Sequence, residues 1–599
     1  MKSHMILWQV LLRELGSWCD TSTSLDIKTV EARFEHEGFS FFTITLPTFA
    51  RDLERALDRG QVDHDLWSSF HFAGGLPRFL GGFLDQVFDR KSGRLLPTPS
   101  IEAIFAIRQA CLFFKKIALP CSEERVDAAM EAYKQCEHDV KAVDARMTAD
   151  DLRQFHRISR LLFADAFTKV DQKVYDGEIV PKHGPGATAE RLGNNQRFAD
   201  LSWTARLETV FPVSELKFAN LRFGALGQNR ADILEPGMER PVRVIPVPKT
   251  LKTPRIIAIE PSCMQYVQQG ILEAFLEAWR DDLVLSKLLG FDDQEPNRDL
   301  AHEGSLLGEL ATLDLSEASD RVSNQLVRRL THDHPWLAAG VDACRSRSAD
   351  VPGHGVIRLS KFASMGSALC FPMEACVFLT CVFVGIEQGL GRPLTRRDIN
   401  SFVGSVRIFG DDIIVPKVHV TSVIGALERF GAKVNSDKSF WNGKFRESCG
   451  KDFYDGVDVS VVKFTQKLPE SRQHVSEILA SSATRNQLYK LGLWQTCSWL
   501  DQHLEGILRY YPRVAETSPV VGRHSFLGFE TQRMDEHLHA PRVKGWVVRE
   551  SPRVDKIDGE AALLKFFLKR GLEPLAEEHL QHAGRPVAVN LKLRWAPSV

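Results

Sequence analysis

The sequence predicts an α+β fold, with a sheet-based central region set between two mainly helical flanks. Three observations carry this. Up to about residue 240, apolar residues recur mostly at helical spacing. From there to about residue 465, short β-branched runs such as VRVIPVP (242–248) and RIIAIE (255–260) alternate with turns and helical segments. Helical patterns then return, as in EAALLKFFLKRG (560–571).

Length and composition bound the answer. At 599 residues the chain is too long for one small core, and about three to four lobes are expected. Hydrophobic content of 44% and charged content of 26% are those of an ordinary globular protein. The formal net charge of −1 excludes a global basic field, so any nucleic acid must meet a local cationic patch. The 11 cysteines form no C-x-x-C pair and no Cys/His ligand spacing. Zinc is not expected, and free thiols in a reducing cytoplasm fit the pattern. The N-terminal MKSHMILWQVLLRELG is not a signal peptide by pattern, because Arg13 and Glu14 break its apolar run. ALCFPMEACVFLTCVFVGI (368–386) is long enough to span a membrane, but Pro372 and Glu374 interrupt it. It is read as a buried core helix, with no membrane.

In the first flank, Ser122 with Glu123 and Glu124 opens one amphipathic helix. Thr148 to Asp151 has the form of a capping box, followed by the stripe Leu152, Phe155, Ile158, Leu162 and Phe163. PKHGPGATAER (181–191) is a glycine-proline loop with basic ends, which suits either a phosphate cradle or a plain corner.

The chemistry concentrates in the central region. PVRVIPVPKTLKTPRIIAIEP (241–261) carries Arg243, Lys249, Lys252 and Arg255 on a proline-stiffened loop. Fixed cations there suit a triphosphate, and a solvated basic loop is the alternative. In ELATLDLSEASDRVS (309–323), Leu310, Thr312 and Leu313 read as a strand ending at Asp314, with a helix beginning near Asp320 after Ser316 or Ser319. In SKFASMGSALCFPMEACVF (360–378), Ser364, Gly366 and Ser367 form a small polar loop. It suits close approach to a sugar or phosphate, or a helix N-cap.

RIFGDDIIVPK (407–417) places Asp411 and Asp412 side by side after Gly410, between two short β runs. A hairpin with the acids at its tip is predicted. Turn chemistry alone would explain the pair. With Asp314 as a third carboxylate, the set suits two Mg²⁺ ions about 3.5–4 Å apart, and a bound dication turns the repulsion of the paired acids into shared attraction. Downstream, in RFGAKVNSDKSFWNGKFRESCGKDFYDGVDVS (429–460), Lys438 is either a general acid for leaving pyrophosphate or a surface lysine.

HGPGAT, VPKTLKTPRIIAIEP, ATLDLSEASD, SMGS, FGDD and FRESCG followed by GVDV, in this order, resemble the palm motifs of right-handed template-dependent polymerases. More narrowly, they resemble the replicase β subunit of positive-strand RNA bacteriophages of the levivirus-like group. The resemblance covers residues 183–459. It implies a right-hand architecture: residues 1–240 N-terminal region and fingers, mostly helical; 241–305 fingers with the basic loop; 306–470 palm, an antiparallel sheet with helices; 471–599 thumb and C-terminal region, mostly helical. It implies an RNA-directed RNA polymerase acting on an RNA template and ribonucleoside triphosphates, in the cytoplasm of a bacterial host. Metal-ligand roles fall on Asp314, Asp411 and Asp412. Triphosphate contacts fall on Lys249, Lys252 and Arg255, ribose contacts on Asp320 and Ser367, and the general acid on Lys438. Where the family usually has Met-Gly-Asn, this chain has Met365-Gly366-Ser367, a shorter side chain without the amide. Host elongation factors Tu and Ts and an OB-fold ribosomal protein are implied as partners by the same analogy. The rivals are a reverse transcriptase and a non-catalytic RNA-binding protein.

Overall fold

A computed structural model describes residues 2–220, 231–551, 555–569 and 588–599. Its centre is a three-stranded antiparallel sheet. Arg407–Phe409 pairs with Asp412–Pro416, and Asp412–Pro416 pairs with Leu310–Asp314. The hairpin turn is the dipeptide Gly410-Asp411, closed by the Phe409–Asp412 pair. Gly410 has φ 62°, and a Cβ there would lie 2.4 Å from the Phe371 ring. Glycine first in a two-residue loop is the chemistry of a type II′ turn. Of the two acids expected at the tip, only Asp411 is in the turn, and Asp412 already pairs in the strand.

Strand alternation sorts the side chains. Leu313, Ile413 and Val415 enter the main core, which leaves Asp314 and Asp412 on the opposite face. That core also holds the stripe Phe155, Ile158, Leu162 and Phe163 from the helix Ala149–Tyr175. The Thr148–Asp151 capping box is formed. The long apolar segment is the helix Cys370–Leu390. It is buried nearly throughout, packed against Ala149–Tyr175 and Val420–Arg429. Each fully buried Phe or Val of this kind contributes about 1.5–3 kcal/mol, so the helix is a core element.

A second core joins distant parts of the chain. Trp8, Phe42, Phe49 and Phe113 from the N-terminal region pack with Phe445, Phe464 and Leu500. The basic stretch forms a hairpin, Val242–Val247 with Arg255–Ile259, extended by Ser348–Val351 and Gly355–Arg358 into a four-stranded sheet. The loop at 181–191 is a packed corner, with the Gly184 and Gly186 carbonyls both accepting from Arg197.

Two expectations need correction. No α-helix begins after Ser316 or Ser319. Ser319–Arg321 is a single 3₁₀ turn, and the helix Asn324–Leu330 starts later, where the Ser323 side chain accepts from the Gln325 amide. Among the described residues, the region after 470 is also not mostly helical. Beyond the helices Val475–Lys490 and Trp494–Leu508, the strand Pro541–Ser551 pairs along its length with Ala588–Pro597. The run KGWVV within it is aromatic and β-branched, and such residues favour strands. The pattern at 560–571 is helical over Gly559–Lys569, and Arg570 and Gly571 lie outside the described residues.

Candidate active site

Three carboxylates lie within electrostatic reach of one another at one end of the central sheet. Asp314 and Asp412 are directly opposed in the antiparallel register, a placement that brings side chains on one face close together. Asp411 adjoins them from the turn. Burial raises the Asp412 carboxyl to about 7, and the charges of Asp411 and Asp314 add to the shift. Asp411 is open to solvent at the mouth of the site yet ringed by protein. Its carboxyl is raised by that desolvation and then by the Asp314 charge. Three mutually repelling carboxylates, one of them hydrogen-bonded by the Cys449 side chain, form a hard-oxygen donor set. That chemistry fits Mg²⁺.

The segment after the hairpin holds Asp314 in place. Asn435 donates its side-chain amide to Asp314 Oδ2 at 2.9 Å. Lys438 Nζ lies 3.2 and 3.3 Å from the two Asp314 oxygens. The Asp314 backbone amide donates to Ser439 Oγ at 3.1 Å. Burial pulls the Lys438 ammonium down, but Asp314 and Glu447 outweigh it and hold its pKa above the usual lysine value. Lys438 is therefore a partner of the cluster rather than a free surface lysine. Across the sheet, the Cys449 amide donates to Asp412 Oδ2 at 3.2 Å.

The cationic hairpin faces this cluster through Lys249. Surrounding protein partly desolvates Lys249 and lowers its pKa, as do its neighbours Arg255 and Lys438, while Asp411 and Asp314 oppose the shift. Lys249, Lys252 and Arg255 are exposed. Lys252 and Arg255 have no ion-pair partner among the described residues. The loop is tethered from behind, since the Thr250 and Leu251 carbonyls accept from Cys121 and Arg125.

Asp320 sits on the 3₁₀ turn and is anchored by Lys361. Lys361 Nζ donates to Asp320 Oδ1 at 2.9 Å and lies 3.3 Å from Glu137 Oε1. It also stands 3.4 Å from the centroid of the Tyr133 ring. The Tyr133 hydroxyl bonds Ser364 Oγ at 2.9 Å. The Ser364–Ser367 loop is not a side-chain N-cap, since the helix Cys370–Leu390 is capped at Leu369 without a side-chain bond. Instead it presses on the neighbouring sheet, where the Ala258 amide donates to the Met365 carbonyl at 2.9 Å. Gly366, at φ 135°, would place a Cβ 2.0 Å from the Ala258 carbonyl oxygen. Ser367 is half-buried beside this contact.

Four residues of the site escape motif reasoning: Lys361, Asn435, Cys449 and Glu374. Glu374 is buried in the core helix. Its carboxyl is driven well up by burial and then by the charges of Asp411 and Asp320. The signal that could have found it was a lone acid inside an apolar helical run.

An antiparallel hairpin offering two aspartates beside a third on the next strand, faced by a lysine-bearing loop, agrees with the polymerase palm motifs that the sequence resembles. Residues 234–477 match the family described as RNA replicase, beta-chain. The chain is 37% identical over 221 residues to the RNA-directed RNA polymerase subunit beta of Qbeta virus (strain MX1), a match covering 36% of this chain and 34% of that one. It is 38% identical over 218 residues to the RNA-directed RNA polymerase beta chain of Escherichia phage MS2, covering 36% of each. The similarity thus spans about a third of the length of the curated relatives it matches. Among solved structures, the RNA-dependent RNA polymerase of bacteriophage phi12 aligns over 78% of this chain and 77% of its own, at 11% identity and TM-score 0.40. The likeness to phage replicase β subunits read from the motifs is borne out over the central region.

Proposed function

We propose that this chain performs template-directed RNA synthesis from ribonucleoside triphosphates on an RNA template, as in the replication of a viral genome. The observation that supports it most is the opposition of Asp412 and Asp314 beside Asp411, under the Lys249 hairpin. Asp314, Asp411 and Asp412 would hold two Mg²⁺ ions, which when bound supply Lewis-acid activation of a 3′-hydroxyl and neutralise triphosphate charge.

The chain's own residues do the rest. Lys249, Lys252 and Arg255 bind and orient the triphosphate from a loop held by Cys121 and Arg125. Asp320, fixed by Lys361, and Ser367 face the ribose. Lys438 stays protonated beside Asp314 and is the proton donor for the leaving pyrophosphate. Elongation factors Tu and Ts and an OB-fold ribosomal protein would act as host partners in the bacterial cytoplasm, on the family resemblance alone.

The test is RNA synthesis by the purified chain on several RNA templates, with and without bacterial extract. Magnesium-dependent ribonucleotide incorporation with pyrophosphate release is expected, and Asp411→Asn should abolish it while the protein remains folded. Substantial synthesis by Asp411→Asn would overturn the proposal.

A further inference from the structure

A cavity of about 690 Å³ lies apart from the carboxylate cluster. Four parts of the chain wall it: the helix Glu123–Arg146, the helix Asn324–Leu330, the segment before the strand Ser348–Val351, and the end of the strand Gly355–Arg358. None of Asp314, Asp411, Asp412, Lys249 or Lys438 lines it.

Its lining is strongly cationic. Lys141, Arg328, Arg345, Arg347 and Arg358 all contribute. The opposing acids are few. Asp144 lines the cavity and accepts from the Ser323 hydroxyl. Asp342 pairs with Arg328 at 3.0 Å and with Arg347 at 2.9 Å. Five cations against two acids leave a local surplus of three in a chain whose formal net charge is −1. Lys141 and Arg358 are exposed and have no ion-pair partner among the described residues. Arg345 forms the floor. It is buried and donates to the Leu359, Lys361 and Phe362 carbonyls, so no acid is bonded to its charge.

We propose that this cavity binds the phosphodiester backbone of single-stranded RNA as a second contact, away from the site of synthesis. The inference rests on the polymerase reading above. Cations contributed by separate elements, two of them exposed and unpaired, suit a string of single phosphate charges better than one compact triphosphate. The wall is also joined to the synthesis site. The Asn324 amide donates to the Ser360 carbonyl at 3.1 Å, and the next residue, Lys361, is the anchor of Asp320. A strand seated here would lie behind the ribose-facing side of the centre.

The test compares the wild-type chain with Lys141→Ser/Arg358→Ser, a pair of exposed changes that removes no side-chain hydrogen bond or ion pair among the described residues. Binding of a labelled, unstructured oligouridine is measured by fluorescence anisotropy across a salt series, and binding of ATP serves as the free-phosphate arm. Each lost phosphate contact lowers the single-strand salt slope by about 0.7, so the double variant should lose about 1.4 of slope, with weaker RNA binding and unchanged ATP binding. An unchanged slope and affinity for the oligouridine would overturn the proposal. So would a loss of ATP binding with RNA binding intact, which would make the cavity a free-phosphate site. Asp411→Asn separates the two readings, because it should lose incorporation yet keep the wild-type RNA affinity and slope.

Discussion

Replacing Lys361 by methionine removes one charge from a place that water does not reach. Lys361 is fully buried, bonded to Asp320 at 2.9 Å and close to Glu137 at 3.3 Å. Burial alone would lower its pKa, but Asp320, Tyr133 and Glu137 outweigh that and raise it, so the ammonium is charged in the folded protein. Methionine fills similar space and leaves two carboxylates without their cation. Breaking a buried pair by removing one partner costs about 3–5 kcal/mol. The lower end applies here, because Glu137 keeps the Ser360 and Lys361 backbone amides as donors, at 2.5 and 3.3 Å. About 3 kcal/mol corresponds to roughly 100-fold in a local opening equilibrium. Hydrogen exchange read by mass spectrometry on peptides covering 317–324 and 358–366 should therefore accelerate by about that factor in Lys361→Met. Lys361→Met/Asp320→Asn should recover part of the loss, since one stranded charge is gone. A change below about threefold in the single variant would refute the buried-pair argument.

Two further outcomes follow from local geometry. Burial pushes the Asp26 carboxyl up to about 6 from the ordinary 3.8, even though it accepts from the Leu80 amide. The folded chain therefore holds this proton more tightly than the unfolded one, and stability is full below about pH 4 and declines as pH rises through about 6. Asp26→Asn keeps an acceptor for Leu80 and should gain up to about 2–3 kcal/mol at pH 8 and little at pH 4, measured by denaturant unfolding at both; equal gains at both would contradict the assignment. Gly366→Ala places a methyl on the Ala258 carbonyl and demands a left-handed backbone. It should cost about 1–3 kcal/mol of local stability and loosen the Ala258–Met365 bond, seen as faster exchange of the Ala258 amide.

The sequence made the carboxylates legible because their signals are local. Gly410 with two acids between β runs specifies a hairpin, and Asp314 ends a short, mainly apolar run of strand length. The capping box at Thr148 and the cationic stretch after Arg243 were legible for the same reason. What escaped depends on contacts far along the chain. Lys361 in LSKFAS carries no pattern of its own, and its partner Glu137 comes from a helix in the N-terminal flank. Asn435 and Cys449 act through hydrogen bonds that exist only once the sheet is assembled. The helix after Asp320 starts later than its sequence suggests, because Ser316, Ser319 and Ser323 are all suitable caps and the folded chain uses the last. The C-terminal strand pair is hidden in the sequence because its partners, Pro541–Ser551 and Ala588–Pro597, are separated by the helix Gly559–Lys569, whose pattern dominates the region.

The proposed function requires three side chains distant in sequence to grip divalent cations jointly. Electron paramagnetic resonance of Mn²⁺, used as a spectroscopic substitute for Mg²⁺, counts those ions directly on the folded chain in the presence of a ribonucleoside triphosphate. The wild type should bind about two ions, and Asp314→Asn and Asp411→Asn should each lose binding without unfolding. Equal Mn²⁺ occupancy in the wild type and both variants would contradict the account.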